Sequence, residues 1–303
     1  MSELVSHMSD GWYARFRQAF VQQSFRDLSP VLSLCLLMPL LAVLTAGFLY
    51  PIGYLAKLSL FSPELDFSPY MRVFEQPLYM AVMARTFRVA LAVTAASLLL
   101  GFPVAFAMAR LKGNLALVAA ASVFIALWSP VLVRSYAWIV LLQRNGVINR
   151  FITDAGIVSE ALKLIYNEVA VIVAMTHVLM PFMILPIFAA LRSIPKEYAL
   201  AARNLGATAT SAFVFVTLPL SLPGVFAGCV MCFILALGFY ITPALIGGPG
   251  TLMMATLIGQ QATALLDWPF AAALSTVLLC LTLFFVLIFR KMLSFNRGFH
   301  GVR

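Results

Sequence analysis

Six stretches of the chain run without an Asp, Glu, Lys or Arg, and these charged residues fall between them: Val31 to Ala56, Val89 to Ala109, Gly113 to Val133, Val169 to Leu191, Leu218 to Ile246 and Trp268 to Phe289. Each is near or above the roughly 20 apolar residues that a helix needs to cross about 30 Å of hydrocarbon. A transmembrane barrel would instead show alternating segments of about ten residues, and these runs are continuous. In lipid a helix satisfies every backbone amide within itself. The pattern predicts an all-α membrane protein with six spans.

Composition agrees: 63% of the 303 residues are hydrophobic and 10% charged, against about 25% charged in a soluble domain. The net charge of +9 gains meaning once it is divided between the two sides. With a cytosolic N-terminus, the inside receives 12 of the 20 Lys and Arg, among them Arg110, Lys112, Arg192, Lys196 and Arg203. Of the acids, only Glu3, Asp10, Asp27 and Glu197 fall inside. The positive-inside rule therefore puts both termini in the cytosol, with the loops at 110–114 and 192–217. The basicity is a topology signal, and no clustered patch on a soluble domain points to nucleic acid.

The first apolar run is too long, and too far behind the N-terminus, to be a cleaved signal. Before it, "GWYARFRQAF" (residues 11–20) mixes aromatic and basic residues, as a helix lying on the inner leaflet does; a loosely ordered tail is the alternative. Cys229 and Cys232 form a C-x-x-C deep in the fifth run, but Gly224, Gly228, Cys232 and Ala236 recur every four residues there. Such a stripe lets another helix approach closely, and no metal site is expected.

Several chemistries have no residues to carry them. There is no G-x-x-x-x-G-K-[ST], so this chain is not expected to hold ATP phosphates, and no cofactor is expected on it. No Asp or Glu lies inside the six runs, which disfavours a carrier driven by proton or sodium binding. His177 is the sole histidine within a run. It is either hydrogen-bonded to a neighbouring helix or lines a pathway. No catalytic constellation is legible, so the chain is not expected to be an enzyme.

The longest cytosolic loop carries "EYALAARNLGATATSAFVFVTLP", residues 197–219. Ser193 or Ile194 can cap a helix here, Pro195 suits its first turn, Glu197 its positive end and Gly206 the position just past its C-terminus. A helix of about ten residues is predicted, too short to be stable alone in water. Ala201, Ala202 and Gly206 would let a foreign surface approach the backbone, with Tyr198 and Leu205 filling pockets on it. The competing reading is an amphipathic connector lying against its own bundle.

"AARNLGATATSAFVFVTLP" resembles the cytosolic signature of the permeases of binding-protein-dependent ABC importers of type I: Glu-Ala-Ala, three residues, Gly, nine residues, an aliphatic residue, one more, then Leu-Pro. The matching positions are Leu200, Ala201, Ala202, Gly206, Val216, Leu218 and Pro219. Leu200 departs from the family's Glu. "RTFRVALAVTAASLLLGFPVAFAMAR", "PVLVRSYAWIVLL", "NGVIN", "MPFMILPIFAAL" and "LPLSLPGVFAG" are similar to the spermidine/putrescine-type group. The resemblance implies a type I ABC importer permease fold. It divides the chain into 1–84 (N-terminal segment, first span and periplasmic loop), 85–290 (permease domain with coupling loop 192–217) and 291–303 (cytosolic tail). It further implies two cytosolic ATPase subunits that carry ATP-Mg, a second permease that is related but not identical, a periplasmic substrate-binding protein, and residence in a bacterial inner membrane. The ATPase would grip Tyr198 to Gly206, a segment that includes Arg203, with Pro219 and Pro223 feeding the loop into the fifth span.

For the solute, the resemblance implies a polyamine or a related amine, opine or amino-acid derivative. Arg134, Tyr136 and Trp138 at the outer end of the third run, and Asp267 and Trp268 at the start of the sixth, are candidate gate or pathway residues together with His177; an interfacial anchor is the alternative for them. A self-sufficient carrier or facilitator remains the rival function, and an intramembrane enzyme or assembly factor the third.

Overall fold

The computed structural model describes residues 30–61 and 64–297, and its described residues fall into two compact units that divide between Lys57 and Leu58. The amphipathic tail at residues 11–20 lies outside the described residues. In the first unit, α1 (Pro30–Leu44) continues through a π turn (Thr45–Leu49) into α2 (Tyr50–Leu60), whose last three residues already belong to the second. Together they give an unbroken apolar helix over Ser33–Leu60, long enough to span.

The second unit is built on three helices: α4 (Pro77–Arg110), α8 (Glu168–Ser193) and α11 (Leu218–Leu237). Each packs on the other two. Val89, Val93 and Met108 of α4, Met175, Leu179, Met183 and Ile187 of α8, and Phe233 and Leu237 of α11 fill the space between them. The small-residue stripe on α11 sets the separation. A β-carbon added to Gly224 would lie 2.4 Å from the Ala190 side chain and 2.7 Å from the Pro186 carbonyl oxygen; one added to Gly228 would lie 2.8 Å from the Met183 sulfur. Cys232 and Ala236 continue the buried line. Bulkier side chains along it would force the helices apart.

A second cluster covers the outer end, where α3 (Ser68–Glu75) and α13 (Met254–Thr263) pack against α14 (Trp268–Arg297). Val73, Tyr79, Met83, Met254, Leu257 and Phe270 are among its buried residues. Among the described residues five helices are long and apolar enough to span. The bent pair Gly113–Trp128 with Val131–Asp154 makes six if it counts as one span.

Four expectations need correction. The third run is not one straight span: α5 (Gly113–Trp128) ends at Ser129, and the chain turns by 99° into α6 (Val131–Leu142) and α7 (Val147–Asp154). Ser129 precedes Pro130 and takes extended angles (φ −70°, ψ 136°), because the proline ring crowds the α region of the residue before it. The second span begins at Pro77, not Val89, and its 34 residues reach about 50 Å, so its first turns stand outside the hydrocarbon with Arg85 and Arg88 on them. The fifth begins at Ala209, where α10 (Ala209–Ala212) and a π turn (Phe213–Thr217) lead into α11, and it ends at Leu237; Ile241–Ile246 is a separate short helix, α12. The non-helical part of the loop drawn at 192–217 is correspondingly shorter. Finally, α4 runs unbroken through position 84 and α14 through position 290, so both expected domain limits fall inside helices.

Candidate functional site

The cytosolic helix predicted from the sequence is α9, Lys196–Asn204. Pro195 is its N-cap residue, with no side chain capping it. Ser193, expected as a cap, instead belongs to the end of α8 and donates to the Ala190 carbonyl. At the other end, the Gly206 amide donates to the Arg203 carbonyl at 3.0 Å and the Ala207 amide to the Ala202 carbonyl at 3.0 Å. This is the Schellman arrangement, which needs a left-handed residue at the first position past the helix. Gly206 supplies it with φ +91°.

Helical spacing gives α9 two faces. Tyr198, Ala201 and Leu205 stack on one, and all three are exposed, Leu205 by 89%. Lys196, Ala199, Leu200 and Arg203 lie on the other and border a cavity of about 680 Å³. Ala202, between the faces, is half-buried. Pro219 stands apart, in the first turn of α11. The eight positions expected to act together are thus divided: Tyr198, Ala201 and Leu205 face outward, Leu200 and Arg203 face the cavity, Ala202 lies between, Gly206 ends the helix and Pro219 begins the span behind it. Besides α9, the cavity is lined by Arg110, Lys112 and Arg192, which the cytosolic ends of α4 and α8 bring there, and by Phe106, Leu191 and Phe213.

On the outer side, Arg134, Trp138 and His177 come together where α6 meets α8. Arg134 is 8% exposed and donates from Nη1 to the Val178 carbonyl at 3.1 Å. Pro181, lacking an N–H, leaves the His177 carbonyl, one residue before Val178, without its helical donor. The Trp138 indole donates to His177 Nδ1 at 3.2 Å. Tyr136 points away and is exposed. Ser135, which the sequence did not single out, is fully buried and shares a 2.9 Å hydrogen bond with Thr242 of α12.

Asp267 and Trp268 form a separate group. Asp267 accepts from Arg72 at 3.1 Å and from the Phe270 amide at 3.2 Å, capping α14, while Trp268 remains exposed. Arg72 lies 4.1 Å from the centre of the Phe270 ring. These residues border a cavity of about 380 Å³ that also takes in Ser59, Asp66 and Ser68. Hydrogen bonds from the Ser68 hydroxyl and amide hold the Asp66 carboxyl below its ordinary pKa. Nearby, Glu168 pairs with Arg88 and lies 4.0 Å from Arg85. Arg72, Ser135 and Thr242 carry no local signal, because their partners lie about a hundred residues or more away along the chain.

Residues 97–292 match the family described as the binding-protein-dependent transport system inner membrane component. The chain is 31% identical over 202 residues to the spermidine/putrescine transport system permease protein PotB of Escherichia coli (strain K12), covering 67% of this chain and 74% of that protein. With PotB of Haemophilus influenzae the identity is 31% over 261 residues, 85% of this chain and 90% of that one. The fold is shared with a bacterial alginate ABC transporter, solved in complex with an alginate pentasaccharide-bound periplasmic protein: TM-score 0.67, 17% identity, 93% of this chain and 96% of that chain. The chain is a multi-pass protein of the inner membrane, and it belongs to the binding-protein-dependent transport system inner membrane components, the permease subunits of ABC importers.

Proposed function

We propose that this permease is driven through α9 by cytosolic ATPase subunits, which bind ATP-Mg and hydrolyse it, while a periplasmic binding protein delivers the solute to its outer side. A second, related permease chain completes the pathway. The observation that carries this reading is the outward face of α9. A helix of nine residues, none of them buried, is marginal by itself in water, yet it presents Tyr198, Ala201 and Leu205 as an exposed face that no described residue covers. A neighbour seated on that face would move α9, and α10 with the following π turn passes the movement into α11.

The solute we infer is a polyamine or a related amine, opine or amino-acid derivative. The name that the similar permeases carry supports this. A complex purified gently with this chain is expected to contain an ATPase and a second permease. Reconstituted in vesicles with its binding protein, it should accumulate labelled spermidine only when ATP is supplied on the ATPase side. Solute flux through vesicles holding this chain alone would overturn the proposal in favour of a self-sufficient carrier.

A further inference from the structure

Charge is balanced on the outer side of the molecule and unbalanced on the inner side. Outside, Arg72 pairs with Asp267, and Arg85 and Arg88 with Glu168. Around the cytosolic cavity, Arg110, Lys112, Arg192, Lys196 and Arg203 converge, and among the described residues none of the five forms an ion pair. Among the described residues, no carboxylate lines the cavity. Five like charges around a concave site reinforce one another's potential. Glu197 stands in the first turn of α9 but is not among the residues that line the cavity.

Apart from Thr217, the remaining wall is apolar. Phe106, Leu191, Ile194, Ala212 and Phe213 come from the cytosolic ends of the spanning segments. Arg110 lies with its guanidinium 4.3 Å from the centre of the Phe106 ring, so cation and hydrocarbon surface interleave. A free inorganic anion would use the cations alone. A molecule with a phosphate and acyl chains uses both, and basic pockets at the cytosolic ends of spanning helices are suited to such headgroups.

We propose that this cavity binds the headgroup of an anionic glycerophospholipid from the inner leaflet. Arg110, Lys112 and Arg192 hold it from the spans, and Lys196 and Arg203 hold it from α9, so one headgroup bridges the two. The lipid then fixes α9 against its own bundle while the opposite face, Tyr198, Ala201 and Leu205, stays free. Nothing in this depends on which solute is carried.

The test uses the full chain in a neutral detergent, with native mass spectrometry reading retained phosphatidylglycerol against phosphatidylcholine. The wild type is expected to prefer phosphatidylglycerol. Arg110→Gln, Lys112→Gln and Arg192→Gln combined, which leave α9 untouched, should weaken that preference by roughly ten- to a hundredfold. A photoactivatable phosphatidylglycerol in nanodiscs of otherwise neutral lipid should label the wild type at 106–112 and 191–213, and this readout stands even if the variant fails to insert. Equal retention of the two lipids, or labels confined to other segments, would overturn the proposal. So would protection of these residues by inorganic phosphate but not by the lipid. A variant that keeps its lipid preference yet loses the ATPase would reassign the cations to an acidic protein surface.

Discussion

Gly206 has a φ of +91°, and a β-carbon placed there would meet nothing within 4 Å. The requirement for glycine is therefore conformational alone: a left-handed backbone costs an ordinary residue roughly 1–2 kcal/mol, and a β-branched one resists it most. Gly206→Val is expected to insert normally but to lose transport while the ATPase still turns over, and Gly206→Asn, which tolerates that region, should keep transport. Flux and ATP hydrolysis measured together check this, and normal transport by the valine variant would remove Gly206 as the helix terminator. Gly224 fails for the opposite reason, want of space. Gly224→Val would press into Ala190 and the Pro186 carbonyl, and overpacking of this kind costs about 1–3 kcal/mol. A lowered thermal midpoint in detergent is the expected result. Both glycines could be marked from the sequence, one by its place after a helix and the other by a four-residue repeat. The contact of Arg134 could not, since its partner carbonyl, that of Val178, lies in another helix 44 residues away along the chain.

Among the elements, α9 is the one whose two faces do different work. Leu205→Asp alters only the outward face, where the side chain is 89% exposed. It should leave expression and the spans intact and reduce retention of the ATPase at least tenfold, as loss of a central apolar anchor does; quantitative pull-down from membranes measures it. The outer end of α14 makes a contrasting case. Arg72 and Asp267 have side chains 42% and 35% exposed, and such pairs contribute about 0–1 kcal/mol. Asp267→Asn is accordingly expected to leave the thermal midpoint nearly unchanged. The bend at Pro130 shows why element boundaries were harder to read than elements. The apolar run continues through it without a change of composition, and only backbone sterics, not hydropathy, ends α5 there.

At the scale of the molecule, sidedness follows from where the cations lie. The reading puts α9 in the cytosol and Glu160, in the loop before α8, outside. In a cysteine-depleted background, a membrane-impermeant maleimide applied to right-side-out vesicles is expected to label Glu160→Cys and not Leu205→Cys; the reverse would invert the topology and remove the ATPase from α9. The core of α4, α8 and α11 is complete within this chain. Its cytosolic outgrowth presents an exposed face to the solvent, so the features that call for partners concentrate on the side where an energy source would dock.

Hydropathy and charge, read along the chain, determined the class and the helix at Lys196–Asn204 and predict its side of the membrane, because insertion into lipid depends on local composition and a helix cap depends on a few neighbouring residues. Only the tertiary structure decided where the third run breaks, how α9 divides into two faces, and which distant residues meet: Arg72 with Asp267, Ser135 with Thr242, and five cations around one cavity. Those are consequences of how helices cross, and a crossing is fixed by packing between segments that the order of residues does not place side by side.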